Sequence, residues 1–145
     1  MGMTTSLIFD AQLKTAWVPL IQELYDIQLS DGPRIYPVGE HSAWRILIDR
    51  YKFKYNWLQC FATLPRSGSI PFGGASYNSD VIQRPIDEHW HVGCGLKNYN
   101  EEIQIFLGTV LPKLIAAPCE AAYEYEEWDW PNRVMINPVP FEVWQ

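Results

Sequence analysis

Residues 89–128, HWHVGCGLKNYNEEIQIFLGTVLPKLIAAPCEAAYEYEEW, decide the fold class. Trp90, Val92, Cys94 and Leu96 alternate with His89, His91, Gly93 and Gly95, the period of two that gives a strand one apolar face. Asn98 then stands three residues before Glu101, the spacing of a capping box. Ile103, Phe106, Leu107, Val110 and Leu114 follow at steps of three and four. That stripe predicts a helix buried on one side, kinked in its last turn where Pro112 has no amide proton to donate. From Cys119 to Trp128 the period returns to two, with Tyr123 and Tyr125 on one face and Glu124 and Glu126 on the other. Asp129-Trp130-Pro131-Asn132 has turn chemistry, and residues 133–136 read as the returning strand. Strand, helix and strand in this order describe a crossover, expected to be right-handed.

Working outward, residues 65–88 contain Ser67-Gly68-Ser69, Pro71, Gly73-Gly74 and Asn78-Ser79 with little periodicity. They read as one long loop, mobile or in contact with a partner, because loops of that length in compact domains are usually functional or disordered. Upstream, Trp44, Ile46 and Ile48 alternate with Arg45, Leu47 and Asp49, and Tyr51, Phe53, Tyr55 and Trp57 alternate with Lys52, Lys54 and Asn56. The apolar set moves from even to odd positions, which predicts a bulge or hairpin turn between Asp49 and Asn56. Residues 58–64 continue as a buried strand. At the start, Phe9, Leu13, Trp17, Leu20 and Leu24 share one helical face, predicting a helix from about Asp10 to Tyr25. Pro19 implies a kink there or a true start near Val18, and Ser30-Asp31-Gly32-Pro33 ends the element. The whole is expected to be a single α+β domain spanning 1–145: a mainly antiparallel sheet of about five to six strands with two helices packed on one face, and an irregular tail over 137–145.

Composition narrows the function. With 145 residues and 48% hydrophobic content, the chain can bury one core, and a net charge of −6 disfavours a nucleic-acid binder that works by neutralising phosphates. No apolar run approaches the roughly 20 residues of a membrane helix, and no basic start leads into an apolar stretch, so neither a membrane partner nor a signal peptide is expected and the location is expected to be cytoplasmic. Cys60, Cys94 and Cys119 are odd in number and lack a CxxC pair, so they read as reduced, mostly buried thiols. Seven Trp, eight Tyr and six Phe are more than a core this size can hold, so some should meet a partner.

Four constellations bear on chemistry. His89 and His91 point the same way on a strand and form a weak metal motif; the third ligand would have to come from Glu88 or His41, and the plainer reading is two histidines on a sheet surface without metal. No GxSxG elbow marks a nucleophile, and Cys94 between Gly93 and Gly95 has room but no assigned base. The glycines of 68–74 lack the Lys-Ser/Thr of a phosphate loop. No catalytic residue and no cofactor is therefore expected. The strongest signal is acidic. Residues 87–145 carry ten acids against three bases, near −7, while the first 86 sit near +1. Glu120, Glu124, Glu126, Glu127 and Asp129 follow one another without a base, interleaved with Tyr123, Tyr125, Trp128 and Trp130. One reading is a solvated sheet face. The other is a surface that steers a basic protein partner by charge and anchors it with aromatics.

Three functions are weighed. A small acidic, aromatic-rich cytosolic domain without catalytic motifs shares the physical character of bacterial immunity proteins and phage-encoded inhibitors, which block a toxin or nuclease whose site is basic. The alternatives are a small enzyme or metal-binding protein centred on His89 and His91, and a structural subunit of a larger assembly. The chain is expected to be a monomer or homodimer.

Overall fold

The structure, a computed structural model, describes residues 5–30, 42–54, 57, 60, 70–72, 75–77, 85–96, 98, 101–125, 127 and 130–140; at 25–30, 42–45, 70–72, 75–77, 94 and 96 it describes the backbone only. Among these residues four strands form the main sheet: β1 (Thr5–Gln12), β4 (His89–Leu96), β5 (Cys119–Tyr125) and β6 (Asn132–Ile136), in the order β4-β1-β5-β6. β2 (Ile70–Phe72) and β3 (Ala75–Tyr77) form a separate two-stranded antiparallel ribbon. The α+β class with an antiparallel sheet is as expected. The sheet has four strands rather than five to six, because residues read as strands are helical.

The first of these is α2 (Ser42–Asp49). Leu47 and Tyr51 are buried four residues apart while Asp49 and Arg50 are exposed, so the burial follows a helical spacing that overlaps the apparent alternation of Trp44, Ile46 and Ile48. The shift of apolar parity after Asp49 is the helix end and not a hairpin. Lys52 takes a left-handed φ of 58°, and the Phe53 amide donates back to the Leu47 carbonyl at 2.8 Å. Tyr51 and Phe53 then pack on Trp17, with ring centroids 4.1 and 5.7 Å away. Within 58–64, read as a buried strand, Cys60 is helical and buried; the other residues lie outside those described.

β1 replaces the first half of the expected N-terminal helix. Leu7, Phe9, Ala11 and Leu13 are all buried while Asp10 and Gln12 are exposed, a period of two. The step of four from Phe9 to Leu13 fits helix and strand equally, and Ala11 is too small to break the tie. After a 3-10 turn over Thr15–Trp17, α1 (Val18–Ser30) begins at Val18, the start that Pro19 implied. Residues 65–88, read as one loop, contain the β2–β3 ribbon. They end in a tight turn where Ile86 and His89 exchange two backbone bonds of 2.9 Å and Asp87 has φ 53°.

The crossover is split. β1 is antiparallel to both β4 and β5, so those two run parallel to each other with β1 between them. The connecting helix is α3 (Glu102–Ile105), a π-helical segment (Phe106–Val110) and α4 (Leu111–Leu114). The irregularity falls before the expected last turn: the π segment ends at Val110, and Leu111–Leu114, with Pro112 in its first turn, is α-helical. At the end of the π segment the Leu111 amide reaches back five residues to the Phe106 carbonyl, one position before Pro112, which cannot donate at all. Asn98 does cap the helix, but its Oδ1 accepts from the Ile103 amide at 2.7 Å and its Nδ2 donates to Gln104 Oε1 at 2.8 Å. Glu101 makes no reciprocal bond and holds a left-handed φ of 60°. The stripe Ile103, Phe106, Leu107, Val110 and Leu114 is buried as predicted. Phe106 meets Phe9 and Trp90 of the sheet at centroid distances of 5.7 and 6.0 Å. Buried residues of α1, α2 and the 102–114 helix join the odd-numbered residues of β1 in one core cluster, so helical elements beyond the expected two cover the sheet.

Candidate protein-binding site

β5 and β6 form an antiparallel hairpin in which Cys119 pairs with Ile136, Ala121 with Val134 and Tyr123 with Asn132. Alternation on β5 therefore separates the residues that read as one acidic, aromatic strand. Cys119, Ala121 and Tyr123 face the core, and Glu120 faces outward. The Tyr123 ring is buried and its hydroxyl accepts from Asn132 Nδ2 at 2.8 Å, so this aromatic is fixed from within the hairpin. Glu120 is exposed and has a basic neighbour: Arg133 Nη1 returns on β6 to within 3.1 Å of its Oε1. Glu124 and Tyr125 are half-buried opposite Ser6 and Thr5 of β1. Glu127 is exposed, and Trp130 is 77% exposed. Glu126, Trp128 and Asp129 lie outside the described residues.

Beside this hairpin lies a groove of about 330 Å³. Leu107, Gly108 and Pro112 line it from the helix, Tyr123 from β5, and Val134 and Ile136 from β6. Gln104, Met135 and Asn137 complete it. A pocket of this size with mainly apolar walls and a few amide groups suits one or two inserted side chains. There is open space at Gly108, where a Cβ would meet nothing within 4 Å. Met135, 60% exposed, and Trp130 add apolar surface to the same hairpin. Of the groove residues, the sequence marks Tyr123 for partner binding and Leu107 and Pro112 only as helix core and kink; it does not single out Gly108, Val134, Ile136 or Met135 as part of a site. The signals that could have found them are a glycine inside a helical stripe and a bulky apolar residue at an outward position of a short strand.

His89 and His91 do share the outer face of β4, as their spacing required. The structure adds a residue that the sequence reading placed in a helix. Asp10 of β1 pairs with His91 in the ladder, and its Oδ1 lies 2.6 Å from His89 Nε2, with Oδ2 3.9 Å from His91 Nδ1. Asp10 accepts from His89 on an exposed surface, while its 3.9 Å separation from His91 is beyond hydrogen-bond distance. Of the other proposed ligands, Glu88 is turned to Thr15, its Oε2 accepting from Thr15 Oγ1 at 3.2 Å, and His41 lies outside the described residues. Among the described residues, no group of three or more His, Cys, Asp or Glu is arranged to hold a metal ion. This cluster is on the sheet face opposite the groove.

The described thiols are poor nucleophiles. Burial, reinforced by the Glu102 charge, pushes the Cys60 thiol up to about 12, and its Sγ donates to the Glu102 carbonyl at 3.2 Å. Burial and then the Asp10 charge also raise Cys119. On the helix side, Lys14 Nζ donates to the carbonyls of Lys113 at 3.0 Å and Val139 at 2.7 Å, and burial lowers its pKa. With the Val139 amide bonded to the Pro112 carbonyl at 2.9 Å, this anchors the chain leaving β6 against the helix end, so the groove walls are held on both sides. No helix among the described residues is long and apolar enough to cross a membrane.

No protein-family model, curated protein or solved structure matches this chain.

Proposed function

We propose that the chain is a small acidic protein-binding domain of the cytoplasm that docks on a basic protein through its β5–β6 hairpin, in the manner of an immunity or inhibitor protein blocking a toxin or nuclease. One observation carries the reading: Trp130 and Met135 are 77% and 60% exposed on a hairpin that borders an open apolar groove. Large apolar side chains of this kind, once desolvated by a partner, dominate binding energy. The surrounding charge supports the sign of the partner. Residues 120–136 hold five acids and one base, and the chain as a whole is at −6. A protein that acts on a polyanion must present a basic surface, and an acidic hairpin steers toward it. The same charge makes nucleic acid an unfavourable partner.

The test is affinity capture from cells of the source organism, using wild type and the double variant Trp130→Ala, Met135→Ser. Both positions are exposed, so the fold should survive. The reading expects a basic protein that wild type retains and the variant loses. Equal retention by both would overturn it.

A further inference from the structure

We infer that β6 is a docking edge: an extended segment of a basic partner adds to it as a fifth strand, with apolar side chains at alternate positions entering the groove beside Gly108 and its lysine or arginine residues at the ends of the segment, clear of Arg133. The inference rests on the protein-binding reading of the hairpin and specifies how the partner is held.

The sheet ends at β6, which pairs with β5 on one side only among the described residues. A strand edge presents a row of backbone donors and acceptors ready for another chain. Within Asn132–Ile136 the edge has no proline and no lysine to block pairing. Pro131 and Pro138 lie outside the five paired residues. The single charge, Arg133, is engaged by Glu120 of the neighbouring strand. Alternation then dictates where an added strand sends its side chains. Val134 and Ile136 both line the groove, so residues of the new strand lying beside them point to the same side, into the space between β6 and the helix. Gly108 lines the same space, and a Cβ there would meet nothing within 4 Å. Strand addition next to a helix, with backbone bonds for affinity and a groove for alternate side chains, is a known physical mode of peptide recognition.

Charge selects the occupant. Five acids stand against one base over residues 120–136. Pairing two copies edge to edge would bring two such hairpins together and set like charges against one another. A basic segment of another protein is the complement.

The probe is a synthetic heptapeptide with lysine at both ends and valine or isoleucine alternating with threonine between them, titrated into the intact isotope-labelled chain with amide exchange read residue by residue. Two further peptides carry backbone N-methyl groups, one along each edge. We expect β6 amides to gain protection on binding. One N-methylated peptide should bind like the parent, and the other should be weakened about tenfold or more, since it loses the backbone bonds on the docking edge. Gly108→Leu, which fills the groove from an open helix position, should unfold at a midpoint no lower than wild type and lose the peptide. Absence of β6 protection, or equal binding by both N-methylated peptides, overturns the inference without reference to any variant's fold. So does β6 protection without peptide accompanied by a doubling of mass with concentration, which would assign the edge to a second copy. If Gly108→Leu still captures the partner that Trp130→Ala, Met135→Ser loses, strand addition fails while the hairpin reading stands.

Discussion

Arg133 Nη1 lies 3.1 Å from Glu120 Oε1 across the β5–β6 ladder, so the hairpin neutralises its first acid and leaves its negative charge toward the turn. Both side chains are more than half exposed, and a solvated pair of this kind adds little to stability. Arg133→Gln should therefore change the unfolding free energy by less than about 1 kcal/mol, measured by urea titration. Its effect should fall on association with a basic partner, which speeds up as the hairpin becomes more acidic. The gain should shrink as salt rises, because screening acts over about 8–10 Å near physiological ionic strength. A salt-independent rate identical to wild type would contradict this.

Phe106 should be among the costliest single residues to truncate. It is buried and meets Phe9 and Trp90, which are themselves edge-to-face at 5.2 Å. Phe106→Ala should destabilise by about 3–5 kcal/mol, the range for a large aromatic removed from a packed core. Calorimetry or urea unfolding measures it, and a midpoint equal to wild type would remove the helix from the core.

These two sites mark how far the sequence could be read. Trp90 with Val92 and the Phe106 stripe sit in strand and helix patterns long enough for period two and period 3.6 to separate, and β4 and the 102–114 helix appear where their periodicity placed them; the β5–β6 hairpin does too, but β5 ends at Tyr125 rather than Trp128, with Glu127 in the turn, and β6 begins at Asn132. Phe9 and Leu13 are four apart and satisfy both periods, so β1, the strand between β4 and β5, was hidden inside a helical reading. Ile46 and Ile48 misled in the opposite direction, because α2 is short and buries chiefly Leu47 among its described side chains. The acidic hairpin was legible as a charge run. The Arg133–Glu120 pair, the inward turn of Tyr123, the Asp10–His89 contact and the groove were not, since each depends on which strands become neighbours.

Gly108 offers a prediction with the opposite sign. It sits in the helix interior, its φ is not left-handed, and a methyl group there has no contact within 4 Å. Gly108→Ala should stabilise by about 0.5–1 kcal/mol through the backbone entropy removed from the unfolded chain. Thermal or urea unfolding checks it, and destabilisation would show that the π segment needs glycine.

Cys60 predicts an alkaline limb. Its folded pKa of about 12 lies above the ordinary value of 9.0. Below pH 9 both folded and unfolded thiols are protonated, and the group contributes no pH dependence. Between about 9 and 12 the unfolded chain has lost the proton that the folded chain keeps, so stability falls with rising pH, by up to about 1.4 kcal/mol per unit. Cys60→Ala should flatten that fall relative to wild type. Parallel curves for the two proteins from pH 8 to 11 would contradict the burial of the thiol.

Contact between the β5–β6 hairpin and a protein partner can be read by site-specific photo-crosslinking in the source cells. A photoreactive residue is placed at Trp130, at Met135, or at Ala16, which is exposed in the turn before α1. One and the same basic protein should be cross-linked from 130 and 135, with none from 16. The same adducts from all three positions, or none from 130 and 135, would contradict that contact.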